Sequence, residues 1–238
     1  MSLFHEKSAE LFKGRHFNHE IITLCVRWYV TYKLSYRDLV EMMAERHVDL
    51  AHTTILRWVQ RYVPEFAKRW QQYTRPVGTS WRCDDTYIRI KGHWAYLYRA
   101  VDREGQTVDF FLSENRAIAA AKRFFARAIE KRGTPQKITL DGYAASHRAV
   151  AELQEENILP ANLIVRTNRY LNNVIEQDHR RVKQRVRPML GFKRFDHAAL
   201  TISGIALVHQ IKKSQFDISA ICAPHARTPH VWETVLAA

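Results

Sequence analysis

Apolar residues between positions 18 and 63 recur every three or four positions, the spacing that predicts amphipathic helices. Asn18 is placed to cap a first helix. Ser35, with Asp38 three positions later, has the form of a capping box that begins a second helix. A third helix is predicted over about 52–63. Short helices joined by tight turns are typical of a helix-turn-helix unit.

The pattern changes to that of β-strands after a stretch, 69–80, that contains proline and glycine and has the composition of a linker. Aromatic and β-branched residues fill three consecutive runs, which the turn residues Lys91-Gly92 and Glu104-Gly105 separate. Shorter apolar runs then alternate with helical periods. The predicted elements are strands 81–90, 93–102 and 107–112, helix 117–130, strand 137–140, helix 146–156, strand 162–165, and helices 172–186 and 195–213.

Three strands followed by alternating helices and strands are the element order of the ribonuclease-H-like fold, an α/β fold in which helices flank a mixed sheet. In such a sheet the first and fourth strands lie side by side. The predicted domains are an all-α helix-turn-helix domain over 1–68, a linker over 69–80, the ribonuclease-H-like domain over 81–215, and a C-terminal tail over 216–238.

Composition favours a globular protein with a polyanionic partner. The chain has 238 residues, 46% of them hydrophobic, which is enough for a substantial core. Lys and Arg outnumber Asp and Glu by 37 to 24, for a formal net charge of +13. Nucleic acid is the commonest partner of such a chain. A protein with a basic surface and no such partner is the alternative.

The sequence indicates a cytoplasmic protein. The three cysteines are far apart and odd in number, which predicts no disulfide framework and fits a reducing compartment. The first residues lack the pattern of a signal peptide. No apolar run reaches the ~18 residues of a membrane span.

Acidic residues mark the predicted sheet and the helix after it. Asp84 lies on the first strand, Asp141 directly follows the fourth strand, and Glu176 is on the helix predicted over 172–186. Phosphodiester chemistry commonly uses divalent ions held by a few carboxylates, because Mg²⁺ prefers hard oxygen ligands. Asp85 competes with Asp84, since the two point to opposite faces of the strand.

Two other acids, Asp102 and Asp109, are interpreted as solvent-facing or turn residues. Asp178 is two positions from Glu176, about 200° around the helix, and is expected outside its site.

The helix that carries Glu176 has a basic face beside its apolar stripe. The stripe consists of Ile175, Val182 and Val186, and the neighbouring face consists of Glu176, Arg180, Lys183 and Arg187. A carboxylate next to a row of cations suits a site that cuts DNA. The alternative is a surface helix with an ordinary Glu–Arg pair one turn apart.

The third helix carries the candidates for DNA recognition. In a helix-turn-helix the last helix enters the major groove. Its polar and basic residues are Thr53, Thr54, Arg57, Gln60 and Arg61, of which Thr53, Arg57, Gln60 and Arg61 are the predicted DNA contacts. The alternative is a plain three-helix bundle with a solvated charged face.

At these residues the chain resembles the DDE transposases of bacterial insertion sequences, which have an integrase-type catalytic core. It looks most like the short, single-frame transposases that fuse replicons into cointegrates. The resemblance covers nearly the whole chain. The motifs are Trp81-Arg82-Cys83-Asp84-Asp85-Thr86-Tyr87, the hairpin over 92–102, Thr139-Leu140-Asp141, the run from Tyr170 through Glu176 to His179, and Leu190-Gly191-Phe192-Lys193.

The resemblance implies that Asp84, rather than Asp85, joins Asp141 and Glu176 in a catalytic triad that binds Mg²⁺, with Mn²⁺ able to substitute. It implies that Lys183 lies near the DNA end. The implied activity is binding of the inverted-repeat ends, 3′-end nicking and strand transfer into target DNA by a homo-oligomer, at least a dimer. A bacterial protein associated with nucleoid or plasmid DNA is expected.

Two other functions remain open from the residues alone. One is a structure-selective nuclease with the same ribonuclease-H-like fold, which has no need of a helix-turn-helix. The other is a non-enzymatic helix-turn-helix regulator, whose DNA binding survives loss of the acidic residues.

Overall fold

The structure is a computed structural model, and it describes residues 11–168, 173–189, 191–223 and 226–237. Tyr170, Leu171, Asn172 and Leu190 of the quoted motifs lie outside the described residues. By compactness the chain divides into two units. The helical unit consists of Met1–Arg75, Arg185–Leu190 and Phe195–Ala238, and the sheet unit consists of Pro76–Gln184 and Gly191–Arg194.

This division differs from the domain limits predicted from the sequence, because it groups the last long helix with the amino-terminal helices. The functional boundaries of the domains stay a prediction. The helices of the helical unit are α1 (His19–Thr31), α2 (Tyr36–Ala44), α3 (His52–Gln71), α7 (Phe195–Lys212) and α8 (Thr228–Ala237).

The predicted caps of the first two helices are confirmed. The Asn18 side chain accepts a hydrogen bond from the Glu20 backbone at the start of α1. At the start of α2, Ser35 and Asp38 make both hydrogen bonds of a capping box.

Helix α3 is longer than predicted. The expected end near position 63 is wrong, because the helix continues through Pro64 to Gln71. Proline costs a helical hydrogen bond. Here Phe66 and Trp70, each 1% exposed, continue the apolar stripe beyond it, and their burial offsets that loss.

Part of the predicted C-terminal tail belongs to the core of the helical unit. Trp232 of α8 is 2% exposed and makes edge-to-face contacts with Phe66 and Trp70. Helix α7 packs closely at Gly204, where an added Cβ would lie 2.6 Å from a methyl group of Val30.

Among its described residues the sheet unit contains five strands, β1 (Ser80–Ile90), β2 (His93–Asp102), β3 (Thr107–Ser113), β4 (Lys137–Leu140) and β5 (Ile164–Thr167). Their order is β3-β2-β1-β4-β5. The first three pair antiparallel, whereas β1 with β4 and β4 with β5 pair parallel. The predicted ribonuclease-H-like sheet, with its first and fourth strands adjacent, is confirmed.

Helices α4 (Ile118–Arg132) and α5 (Ala144–Glu155) connect these strands, and α6 (Asn173–Val186) follows β5. A core that contains Trp81, Tyr98, Phe124 and Phe125 belongs to this unit. At one edge of the sheet, all four residues of β5 are exposed to solvent. Within the described residues no helix is long and apolar enough to cross a membrane.

The interpretation of Asp102 and Asp109 as solvent-facing is wrong, since they are 2% and 5% exposed. Asp109 is paired with Arg127 at 2.7 Å and with Lys131 at 3.4 Å. Asp102 does serve the β2–β3 turn, where it accepts the Gln106 N–H at 2.8 Å. Burial of both acids is possible because each has partners.

Candidate active site

Asp84 lies in the middle of β1, opposite Arg99 of β2. Its Oδ1 accepts the backbone N–H of Asp85 at 2.8 Å. The pKa of Asp84 is raised to about 7, mainly by burial and in part by the negative charges of Asp141, Asp85 and Glu176, while the hydrogen bond from the Asp85 backbone opposes the rise. The charges of both other acids predicted for the site therefore act on Asp84.

Asp141 follows the last residue of β4, the strand that runs parallel to β1 with Arg82 opposite Thr139. Its Oδ1 accepts the Tyr143 N–H at 3.1 Å, and its carbonyl oxygen lies 2.8 Å from Nε2 of His147. These hydrogen bonds fix the turn between β4 and α5. The end of β4 thus places Asp141 beside the strand that carries Asp84.

Glu176 lies in the first turn of α6 with its side chain exposed. The predicted apolar stripe is confirmed, since Ile175, Val182 and Val186 are all buried. The three cations of the neighbouring face, Arg180, Lys183 and Arg187, are exposed. Arg187 lies beyond the end of α6, in a 3-10 turn, Arg187–Met189.

Asp85 is paired with a cation outside the predicted triad. Its side chain is 4% exposed and forms an ion pair at 3.0 Å with Arg116, whose guanidinium lies 3.6 Å from the centre of the Tyr143 ring. Burial raises the pKa of Asp85, and the hydrogen bond from Arg116 opposes that rise. The two neighbouring acids of β1 therefore have different surroundings.

Three buried polar residues around Asp84 were not predicted to lie there. Arg99 and Asp178 form an ion pair. Nε2 of His179 lies 3.7 Å from Oδ2 of Asp84. Burial, together with the charges of Arg99 and Lys183, lowers the pKa of His179 to about 3, so its imidazole is neutral at pH 7. One sequence signal was available, because an arginine within the apolar run of β2 needs a buried partner.

A divalent metal fits this site by its chemistry. The carboxylates of Asp84, Asp141 and Glu176 are hard oxygen donors, and the charges of Asp141 and Glu176 repel that of Asp84. A bound cation would relieve that repulsion. Among the described residues, however, no three His, Cys, Asp or Glu side chains already form a metal-ligating group.

The candidate DNA-recognition residues lie on α3. Thr53, Arg57 and Arg61 are exposed. Gln60 is half-buried, and its side-chain nitrogen lies 2.7 Å from Nε2 of His197 on α7. The structure thus gives Gln60 a partner within the helical unit, which the sequence did not predict.

A ribonuclease-H-like sheet with acids on β1, after β4 and on α6 defines the class of DNA-processing enzymes with an integrase-type core. The DDE domain family DDE_Tnp_IS240 matches residues 78–215. The chain is 39% identical, over 202 residues, to the transposase for the insertion sequence-like element IS431mec of Staphylococcus aureus, and the match covers 85% of this chain and 88% of that one.

A second relative is the transposase for insertion sequence element IS257 in transposon Tn4003 of the same organism, 38% identical over the same shares of the two chains. The chain belongs to the DDE transposases of bacterial insertion sequences and is a DNA transposase.

Solved structures offer a more distant likeness. The catalytic core domain of HTLV-2 integrase in complex with magnesium is 15% identical with a TM-score of 0.45, over 67% of this chain and 99% of that one. The catalytic core domain of BIV integrase is 19% identical with a TM-score of 0.40, over 55% of this chain and 83% of that one. The family assignment depends on the sequence relatives.

Proposed function

We propose that this transposase binds the inverted-repeat ends of its own insertion sequence, nicks each 3′ end and joins it to target DNA. In this proposal Asp84, Asp141 and Glu176 are the catalytic residues and hold Mg²⁺, which Mn²⁺ can replace. The observation that carries it is the parallel pairing of β1 with β4, which brings Asp141 beside the strand of Asp84, with Glu176 near enough for its charge to act on Asp84.

When bound, divalent ions activate the attacking oxygen and stabilise the charge on the leaving oxygen. The chain itself positions the carboxylates. Asp84 is positioned by strand pairing and by the hydrogen bond that it accepts from the Asp85 N–H, and Asp141 by the hydrogen bond that it accepts from the Tyr143 N–H. Asp85 is held by Arg116, which supports Asp84 as the ligand from β1.

The proposed chemistry has two displacements at phosphorus. In the first, water attacks the phosphodiester at the element end, and the bond to the 3′ oxygen breaks to leave a 3′-OH. In the second, that 3′-OH attacks a target phosphodiester, forms the new P–O bond and releases a target 3′-OH. Neither step needs a covalent bond between protein and DNA.

The basic residues of the proposal bind the DNA backbone and the end sequence. Arg180, Lys183 and Arg187 are exposed cations that suit phosphate contacts. Thr53, Arg57, Gln60 and Arg61 of α3 are the proposed contacts to the end sequence, for which Gln60 would exchange its contact with His197. Bringing two ends together requires a homo-oligomer, at least a dimer.

A cleavage assay tests the proposal. Full-length protein is mixed with Mg²⁺ and DNA that carries the short inverted repeats flanking its own gene, and 3′ nicks and joined products are resolved on sequencing gels. We expect Asp141→Asn to lose both products. Glu155→Gln, which removes an exposed acid of α5, is the matched control and should keep both.

Other outcomes favour other functions. Full activity of Asp141→Asn would exclude the proposed mechanism. Cleavage of RNA–DNA hybrids or four-way junctions without joining would favour a structure-selective nuclease. Sequence-specific binding that survives loss of all three acids, with no metal-dependent cleavage, would favour a regulator.

A further inference from the structure

Two large aromatic side chains at the end of the β1–β2 hairpin are exposed. Tyr87 is 56% exposed and Trp94 is 55% exposed. Their rings touch, with centroids 5.0 Å apart and planes at 72°. Rings of this size usually bury most of their surface, so an exposed pair leaves apolar area that a flat ligand can cover.

Cations flank both rings. The ammonium of Lys183 lies 4.9 Å from the centre of the Tyr87 ring, and the guanidinium of Arg89 lies 5.9 Å from that of Trp94. Arg89 and Lys183 are themselves exposed. Exposed aromatic faces beside cations are how proteins bind single-stranded nucleic acid, with bases stacked on the rings and phosphates near the charges.

The hairpin holds these rings in place before any ligand arrives. Its two turn residues, Lys91 and Gly92, have φ values of 51° and 83°, as a tight two-residue turn requires. The backbone of Phe192 binds the hairpin at the end of β1 and the start of the turn, donating to the Arg89 carbonyl at 3.1 Å and accepting from the Lys91 N–H at 2.7 Å. Ordering of the site therefore adds little to the cost of binding.

Along the sequence, Tyr87 and the cation beside it lie close to two of the proposed catalytic acids. Tyr87 is three residues beyond Asp84 on β1. Lys183 is seven residues beyond Glu176 on α6, a rise of about 10 Å along the helix. That distance corresponds to about three steps of a DNA strand.

We propose that Tyr87 and Trp94 form a stacking site for an unpaired nucleobase of DNA, within a few nucleotides of the bond that is cut. The proposal rests on the proposed function, because it takes the acids as the cutting site. One ring stacks on the base, and the other, at 72°, lies against the edge of the base. Cations beside both rings favour a polyanion over a protein partner.

The test uses full-length protein in EDTA and two fluorescein-labelled 20-nucleotide probes. One is oligothymidylate, and the other has abasic sites at its four central positions, so that both have the same backbone charge. Dissociation constants are measured by fluorescence anisotropy at fixed salt. We expect wild-type protein to bind the complete probe roughly 5- to 100-fold more tightly, the range expected for stacking.

Trp94→Ala and Tyr87→Leu should each lose most of this preference, and Trp94→Phe should keep it. Tyr32→Leu is the matched control, because Tyr32 is an exposed aromatic residue of the helical unit at 54%. It should behave as wild type.

Two results would overturn the stacking site. One is an equal preference for the complete probe in wild type, Trp94→Ala and Tyr87→Leu, and the other is no such preference in wild type. Loss of oligomers in Trp94→Ala with the base preference intact would overturn it too, and would assign the pair to contacts between copies of the chain. Asp141→Asn should keep the base preference without cutting DNA, so failure of the cleavage proposal and failure of the stacking site are distinguishable.

Discussion

Arg99 of β2 and Asp178 of α6 form an ion pair that is almost completely removed from water, with 0% and 4% of the two side chains exposed. Arg99 is also the strand partner of Asp84. The ion pair therefore links β2, the neighbour of the strand that carries Asp84, to α6, the helix that carries Glu176.

We expect Asp178→Ala to lower the free energy of unfolding by about 3–5 kcal/mol, because it leaves the Arg99 guanidinium buried without its carboxylate. The double variant Arg99→Met, Asp178→Leu removes both charges and should recover most of the loss. Urea denaturation of metal-free protein at pH 7 measures both. A free energy of unfolding for Asp178→Ala within about 1 kcal/mol of that of wild type would contradict this account of the ion pair.

Asp84→Asn should stabilise the metal-free protein more at pH 8 than at pH 5. The Asp84 carboxyl has a pKa of about 7 in the folded chain against an ordinary value of 3.8. The folded state therefore holds this proton more tightly, and its stability falls as the pH rises from about 4 to about 7. The uncharged amide of the Asp84→Asn variant does not titrate, so the variant does not lose this stability as the pH rises.

The gain from Asp84→Asn should be larger at pH 8 by on the order of 1–3 kcal/mol. Urea denaturation at the two pH values measures it, with Glu155→Gln as the exposed control. Equal gains at both pH values would show that the pKa of Asp84 in the folded protein lies near its ordinary value.

Mg²⁺ should raise the melting temperature of the wild-type protein, because a ligand that binds only the folded state stabilises it. At a concentration about 100 times the dissociation constant the gain is about 2.7 kcal/mol. Asp141→Asn, which lacks one proposed ligand, should lose most of this shift, and Glu155→Gln should keep it. Thermal denaturation with Mg²⁺, Mn²⁺ or EDTA measures the effect without any DNA. An equal shift in wild type and Asp141→Asn would place the bound metal elsewhere.

Arg57→Ala and Arg61→Ala should weaken binding to the element ends by about 1–3 kcal/mol each. Strand transfer from ends that are already nicked, at saturating protein, should change much less, because the two side chains lie on α3 rather than beside the acids. Lys68→Ala, an exposed cation near the other end of α3, serves as the control. Equal losses in binding and in strand transfer would mean that α3 does not read the end sequence.

The sequence predicts those parts of the fold that depend on local pattern. Alternating apolar residues and the Lys91-Gly92 turn predict the β1–β2 hairpin, and Asp141 is predicted at the end of β4 because a short apolar run stops there. The side-chain periodicity of α6 likewise predicts which face is buried. These features need only the neighbouring residues.

Contacts between distant residues escape a single sequence. Asp109 looks like a solvent-facing acid until Arg127 and Lys131 of α4 are placed beside it. Gln60 looks free to contact DNA until α7 brings His197 to it. Pro64 looks like a helix end because the burial of Trp70 depends on contacts such as that with Phe216, far along the chain. The choice of Asp84 over Asp85 came from the family pattern.

The exposed edge strand β5 can promote association of the protein at high concentration. It is an edge strand with every residue exposed, including Ile164 at 50%, so its outer backbone groups can pair with a strand of another molecule. Its length of only four residues and the charge of Arg166 limit that pairing. Replacement of Arg166 by an apolar residue would remove this protection, and aggregation during overproduction is the expected result.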